Sequence, residues 1–517
     1  MPEILSNGSD ASSLLSQVRG GTLEAISNAD MTYQLKDRSL FIEDAFIGGE
    51  WTTKEKTFEV WEPASATVLG KVANCDQDDF RKAIQSAFDA QPKFFESTTG
   101  TARGVMLRKW NDLILANQED IALILCLENG KTLAEAKGEV AYAASFISWF
   151  AEEATRSYGV TIPSSYPNTS LSTIREPIGV CGIITPWNFP AAMITRKIAP
   201  ALAAGCSVVI KPPSETPYTC LALTKLAIEA GLPPATIQVC PTKDRQAALE
   251  LSTNPQVRKI SFTGSTNVGK MLAGLAAKTL KRVSLELGGN APVIVFDDAD
   301  IDVAVEGVMF SKFRCSGQTC VCANRIYVQS GILKAFTERL VARVAQLKMG
   351  SGLDPTTTQG PLVNKAAVTK ISEHISDALS KGAKVEFGGI SKDDGKEKGF
   401  FCPPTVLSGV TAKMVVANDE SFGPLAPIFE FGSEEEVLRL ANDTEFGLAG
   451  YFFTRDIGKA HRVARRLEVG MVGVNTGKIS AAEAPFGGVK ESGYGREGSL
   501  YGMEEYQTIK SITVSTV

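Results

Sequence analysis

From residue 178 onward short apolar runs alternate with longer amphipathic ones, and this alternation constrains the fold more than any other feature of the chain. Residues 178–185 read as a strand, 190–204 as a helix stopped by Gly205, 207–210 as the next strand, and 216–230 as a helix stopped by Gly231. Strands near 237–240 and 259–262 continue the series. Strand, helix and strand in succession predict a parallel, doubly wound sheet, and such sheets bind ligands just beyond the carboxyl ends of their strands. The residues that follow each strand are therefore the ones to question.

With 517 residues, 44% of them hydrophobic, the chain exceeds what one core holds, and two or three domains are expected. The first thirty or so residues are polar and aperiodic and read as a flexible extension. Residues 76–125 have a helical pattern, with Phe80, Ile84, Ala87 and Phe88 on one stripe and Leu107, Trp110, Leu113 and Leu115 on the next. A further helix is expected over 132–154, and the Pro- and Ser/Thr-rich stretch 160–174 reads as an extended arm or hairpin. In the tail, Ile509, Ile512 and Val514 alternate with polar residues, as in an edge strand needing a partner.

A net charge of −5 and a pI near 5.5 leave no basic footprint, which argues against nucleic acid and anionic membranes as partners. No apolar run approaches the roughly 20 residues that span a bilayer, and the opening segment has neither a signal-peptide core nor an Arg-rich transit pattern. A cytoplasmic protein is expected. Ten cysteines without small-domain spacing read as reduced thiols; Cys126, Cys181, Cys206, Cys220 and Cys240 sit in apolar segments as small core hydrophobes.

Cys320 differs from these because Gly317-Gln318-Thr319 precede it and Cys322 follows, small and amide neighbours that suit a working thiolate. The Cys320-Cys322 pair is also a metal-ligand spacing, yet no second cysteine pair or nearby histidine completes four ligands, so no metal is expected. Glu286 lies about thirty residues upstream in Leu285-Glu286-Leu287-Gly288-Gly289-Asn290. The two histidines of the chain, His374 and His461, fall on charged stretches that read as exposed helix surface, so a base for the thiol chemistry has to be a carboxylate. A surface carboxylate at a strand end is the plainer reading of Glu286.

Three strand ends are followed by specific segments: 185–190 (TPWNFP), 211–217 (KPPSETP) and 262–269 (FTGSTNVG). The glycines of the last open a helix whose amides suit a pyrophosphate, although a Ser-Thr helix cap reads the same way. Asn188 in the first is either a hydrogen-bond donor in a site or a turn residue capping the helix that follows. Together with the ELGG around Glu286, the GQ-x-C ending in Cys320, Glu420-Ser421-Phe422-Gly423-Pro424, Pro485-Phe486-Gly487-Gly488 and Gly493-Tyr494-Gly495-Arg496-Glu497, these segments resemble the aldehyde dehydrogenase superfamily from about Phe41 to the end of the chain, most closely its succinate-semialdehyde dehydrogenases.

The resemblance implies an α/β fold with a Rossmann-type cofactor domain (39–158 and 179–290), an α/β catalytic domain (291–490) and a β oligomerisation arm (159–178 and 491–517), behind a flexible extension (1–38). It makes Cys320 the nucleophile, because hydride cannot leave an aldehyde carbon until a nucleophile has made it a tetrahedral alkoxide. Asn188 and the Cys320 amide would hold that alkoxide, and Glu286 would activate the water that hydrolyses the thioester. Thr185, Trp187, Lys211, Ser214, Gly264, Ser265, Gly269, Glu420 and Phe422 would bind the cofactor. Ser214 stands where NAD-preferring members carry a carboxylate, so NADP preference with NAD acceptance is expected, with Glu215 next door as a countervailing charge. Arg196, Arg314 and Ser480 would clamp the carboxylate of succinate semialdehyde; two arginines salt-bridged at an interface are the plainer reading, and a broad or glutarate-semialdehyde dehydrogenase, or a non-catalytic protein of the same fold, the alternatives. A Cys320–Cys322 disulfide switch and a homodimer or homotetramer complete the expectations.

Overall fold

The computed structural model describes residues 34–390 and 398–515, so most of the expected N-terminal extension lies outside the described residues. A hairpin of β1 (Ala45–Ile47) and β2 (Glu50–Thr52) leads into helices α1 (Gln77–Ser97), α2 (Gly100–Ala116), α3 (Gln118–Asn129) and α4 (Leu133–Glu153). The sequence pattern over 76–125 is thus three helices, each start set by local chemistry: an Asp76/Asp79 capping box for α1 and the Thr99 hydroxyl for α2, while α3 follows Asn117 without a side-chain cap. Two residues assigned to buried stripes are exposed, Phe88 at 41% and Leu115 at 45%. Each directly follows a buried residue, Ala87 or Ile114, and one step along a helix turns a side chain 100° away from the core.

The chain then runs through β3 (Thr169–Pro177), β4 (Val180–Ile184), α5 (Ala192–Ala204), β5 (Ser207–Lys211), α6 (Tyr218–Glu229), β6 (Ile237–Val239), β7 (Val257–Thr263), α7 (Thr266–Ala277) and β8 (Arg282–Glu286). Strands β4 to β8 form the parallel centre of an eight-stranded sheet in the order β6-β5-β4-β7-β8. From β4 the chain winds outward in one direction through β5 and β6, then returns to β7 and β8 on the other side. The switch point lies between β4 and β7, where such sheets open a ligand crevice. Gly493–Tyr494 pairs with the end of β8, bringing a segment two hundred residues away beside Glu286.

A second, seven-stranded sheet centres on β9 (Ala291–Val295), β10 (Ala323–Gln329) and β11 (Leu425–Phe431), with α8 (Lys365–Ser380) packed against it. The tail forms β12 (Gln507–Ser515), which pairs along its whole length with β3 of the same chain, from Gln507 opposite Pro177 to Ser515 opposite Thr169. Its expected partner is therefore internal, and its other edge stays open.

The larger core joins α2–α6 to the first sheet, and Trp110 anchors it: fully buried, its indole N–H donates to the Leu223 carbonyl at 3.0 Å, tying α2 to α6. Trp110→Ala is expected to destabilise the chain by about 3–5 kcal/mol in urea unfolding followed by circular dichroism, whereas Leu115→Ala stays within about 0.5 kcal/mol. Equal midpoints for the two variants would contradict this packing.

Candidate active site

A cleft of about 510 Å³ opens at the switch point, lined by Thr185 and Trp187 after β4, Lys211 and Ser214 after β5, and Gly264 and Ser265 after β7. Ser265 precedes α7 without making a side-chain capping bond, so the first amides of a twelve-residue helix face the cleft uncapped. Ser265 also lines a neighbouring cavity of about 810 Å³ that reaches Glu420. Phe422 packs edge-on to Trp187, ring centroids 5.6 Å apart. Lys243 and Arg245 add cations to the first cleft; Glu215, whose carboxylate accepts from the Ser214 hydroxyl at 3.1 Å, and Asp244 add anions. A crevice with free helix amides, a lysine at a strand end and a run of polar contacts from Ser214 to Glu420 fits an elongated dinucleotide.

Cys320 sits in a turn after a strained segment, Cys315 and Ser316 both having positive φ (50° and 55°). Gln318 braces this loop, its side chain accepting from the Val363 amide at 2.9 Å and donating to the Cys315 and Pro361 carbonyls. Gly289 allows the ELGG backbone to pass beneath: a β-carbon there would lie 2.7 Å from the Cys320 carbonyl oxygen. Asn188 does not cap α5. Its amide nitrogen donates to the Gln318 carbonyl at 2.9 Å, leaving one N–H free beside the Cys320 loop, while Glu139 takes the amides of Ala191 and Ala192. Lys131, paired with Glu139, holds the Asn188 carbonyl at 2.9 Å.

Glu286 is the last residue of β8 and 2% exposed, so it is no surface carboxylate; both its oxygens lack a hydrogen-bond partner among the described residues. Burial, and next the charge of Glu497, pushes its carboxyl well above the usual carboxylate range. Burial also pushes the Cys320 thiol up to about 12, with Arg196 opposing and Glu286 reinforcing the shift. Glu497 behaves oppositely: Lys197 and Arg196 outweigh its burial and hold it down to about 2. Arg196 meets it at 2.5 Å and lies 4.0 Å over the Phe486 ring; Lys197 pairs with the other oxygen.

Arg196 is therefore half of an ion pair buried inside the chain and not at an interface, and its charge is partly spent there. Arg314 differs. It lies between the rings of Phe189 (5.3 Å) and Phe310 (4.7 Å), and its Nε is buried without a partner. The Tyr142 hydroxyl faces Arg196, Arg314 and Ser480, so all three residues expected at the carboxylate clamp border one space, with Tyr142 as a fourth. Tyr142 gives no sequence signal, because one hydroxyl in the apolar pattern of α4 reads as a core aromatic. Glu497 lies within a quoted motif, but only the fold shows what it holds.

Cys322 is 1% exposed, its thiol points to the Lys312 carbonyl at 3.5 Å, and both it and Cys320 are free thiols. The expectation that both histidines are surface residues is wrong for His374, which is 3% exposed and bonded to Ser421 and Asp419. It shares the inner face of α8 with Ile371 and Ile375, and the charged residues around it in sequence occupy the other faces. His461 is exposed.

The aldehyde dehydrogenase family pattern matches residues 51–512. The chain is 54% identical over 484 residues to glutarate-semialdehyde dehydrogenase of Pseudomonas putida, covering 93% of this chain and 100% of that protein. It is 52% identical over 483 residues to the NADP-dependent succinate-semialdehyde dehydrogenase of Escherichia coli, covering 93% and 99%. The crystal structure of succinate-semialdehyde dehydrogenase from Burkholderia pseudomallei superposes with a TM-score of 0.92 at 52% identity, over 94% of this chain and 100% of that one. A partly buried thiol, a buried carboxylate and a dinucleotide cleft on a fold shared this completely leave one assignment: the chain belongs to the aldehyde dehydrogenase family and is an oxidoreductase acting on aldehydes.

Proposed function

We propose that the chain oxidises succinate semialdehyde to succinate, preferring NADP and accepting NAD. The observation that carries the substrate class is the unpaired Nε of Arg314 in a space shared with Tyr142, Arg196 and Ser480. A guanidinium enclosed by aromatic rings without a carboxylate is expensive unless an anion completes it. A semialdehyde brings that anion on the end of the molecule opposite its carbonyl. The likeness to a glutarate-semialdehyde dehydrogenase at 54% identity supports a second reading with one more methylene, since both substrates present a carboxylate to the same groups.

The chain's residues then divide the work. Cys320 attacks the aldehyde carbon, forming a C–S bond as the carbonyl pair moves to oxygen; Arg196 favours the thiolate against burial. The free N–H of Asn188 and the Cys320 amide stabilise the alkoxide, a contribution of about 2.7–4 kcal/mol per donor. When bound, an oxidised nicotinamide would supply the acceptor for the hydride that leaves the carbon as the alkoxide collapses to a thioester on Cys320. Glu286 takes a proton from water as that water attacks the thioester on Cys320, releasing the carboxylic acid and the thiolate. Because the Glu286 carboxyl is raised, this base ionises only above the usual carboxylate range, and turnover falls as pH drops through that higher value.

Lys211, Ser214 and the helix amides after Ser265 would hold the adenosine and pyrophosphate, and Glu420 with Phe422 would set the nicotinamide end. The preference for NADP rests on neutral Ser214 with Lys211, Lys243 and Arg245 lining the same cleft, set against Glu215 and Asp244. The chain assembles as a homodimer or homotetramer through its arm, where β12 keeps an open edge and Tyr158, Val160, Ile509 and Val514 remain exposed. Among the described residues no helix is long and apolar enough to cross a membrane, in keeping with a cytoplasmic enzyme.

Arg314→Ala is expected to lower kcat/KM for succinate semialdehyde by about ten- to a hundredfold and to leave an uncharged aliphatic aldehyde unaffected. Equal losses on both aldehydes, or equal wild-type efficiency on both, would remove the carboxylate clamp; comparing four- and five-carbon semialdehydes separates the two substrate readings. Ser214→Glu is expected to raise KM for NADP roughly tenfold, through about 1–2 kcal/mol of like-charge repulsion, with KM for NAD little changed. An unchanged ratio of the two would show that this position does not read the phosphate.

A further inference from the structure

Helix α8 carries two polar side chains one turn apart, Lys370 and His374, that the chemistry above leaves unused. Both reach the same short segment. The Lys370 ammonium donates to the Glu420 carbonyl at 2.6 Å and to the Asp419 carboxylate at 3.3 Å. The two ring nitrogens of His374 are each bonded, Nε2 to Asp419 at 3.2 Å and Nδ1 to Ser421 at 3.1 Å. Three successive residues of the chain, 419–421, are thus pinned by one helix face.

That segment is the one that needs pinning. Phe422 follows in a left-handed conformation (φ 55°), which a phenylalanine holds only when its surroundings impose it. Gly423 then runs against the Cys320 loop so closely that a β-carbon on Gly317 would lie 2.2 Å from the Gly423 carbonyl oxygen. Glu420, between the two bonded residues, aims its carboxylate at the Gly289 amide (3.4 Å), and Phe422 presents its ring to Trp187. A shift of the segment moves both side chains at once.

We propose that His374, assisted by Lys370, is a positioning residue that fixes the 419–423 segment and so sets Glu420 and Phe422 at the nicotinamide end of the cofactor cleft. This rests on reading those two residues as cofactor contacts. The charged and titratable groups facing His374 are Asp419 on the segment, Lys370 and Asp377 on its own helix, and Lys312 from the Cys320 side. Burial, the largest influence, holds the imidazole below its ordinary range, so the ring is neutral near pH 7. A neutral ring donates through one nitrogen and accepts through the other: Asp419, acceptor only, takes the Nε2 proton, and the Ser421 hydroxyl donates to Nδ1.

His374→Leu keeps the volume and loses both bonds; His374→Gln keeps a donor and an acceptor. The test compares KM for NADP, KM for the semialdehyde, kcat, and hydrolysis of p-nitrophenyl acetate without cofactor, a reaction that calls on Cys320 and Glu286 but not on Glu420. His374→Leu is expected to raise KM for NADP roughly tenfold, the weight of about one hydrogen bond, and to lower kcat. KM for the semialdehyde and ester hydrolysis should stay within about twofold, and His374→Gln should recover most of the loss. Lys370→Met, a change at a part-exposed side chain, is expected to raise KM for NADP in the same direction and decides the matter if His374→Leu does not fold. Unchanged KM for NADP in either folded variant, or a parallel fall of ester hydrolysis and NADP-dependent turnover, would overturn the proposal. Unchanged cofactor kinetics in Glu420→Gln would instead sink the reading of Glu420 itself.

Discussion

One buried carboxylate, Glu497, holds two buried cations, Arg196 and Lys197, and the site is arranged around that triad. The two cations come from neighbouring positions on α5, three hundred residues before their partner, so the triad exists only once the returning strand Gly493–Tyr494 has paired with β8. One positive charge is left in excess beside Cys320 and Glu286, two groups that burial drives toward their neutral forms. In the proposed mechanism that excess would favour a thiolate at the moment of attack, and the charge of Glu497 would keep the neighbouring carboxyl basic enough to take a proton from water. Removing one member of such a buried set leaves its partners uncompensated, typically at about 3–5 kcal/mol. Chemistry and fold therefore share a fastening.

The expected parallel sheet, its helices and the residues after each strand were legible because they depend on local periodicity and punctuation. Gly205 and Gly231 stand just beyond α5 and α6, and the three motif segments fall at the carboxyl ends of β4, β5 and β7. Glu286 was legible as a strand-end carboxylate, though its burial depends on Gly493, which no local pattern reveals. The ion pair of Arg196 with Glu497 is not legible in the sequence, since residues 301 apart carry no mutual spacing signal. His374 was misread for a related reason: charged neighbours dominate a linear window, whereas a helix presents each residue to its own side. Phe88 and Leu115 fail the same way, each one position beyond a buried residue of its helix.

The cofactor cleft shows a balance that sequence leaves open. Ser214 is neutral, yet the carboxylate of Glu215 accepts its hydroxyl proton and stands in the same wall as Lys211, Lys243 and Arg245. Selectivity for a 2'-phosphate is then a difference between nearby charges of both signs and not the property of one residue. The proposed clamp would have the same character, with Tyr142 set beside Arg314 and Ser480 on a helix that sequence alone assigns to packing.

The central claim is that Cys320 carries the acyl group and Glu286 frees it. The most direct measurement is rapid mixing of Glu286→Gln with NADP and succinate semialdehyde, followed by intact-mass analysis of the protein. The account predicts a burst of about one reduced nicotinamide per chain, then turnover slowed by about a hundredfold or more, with the succinyl group found on Cys320. Sustained turnover at the wild-type rate, or a burst with no acyl group on the protein, would contradict it.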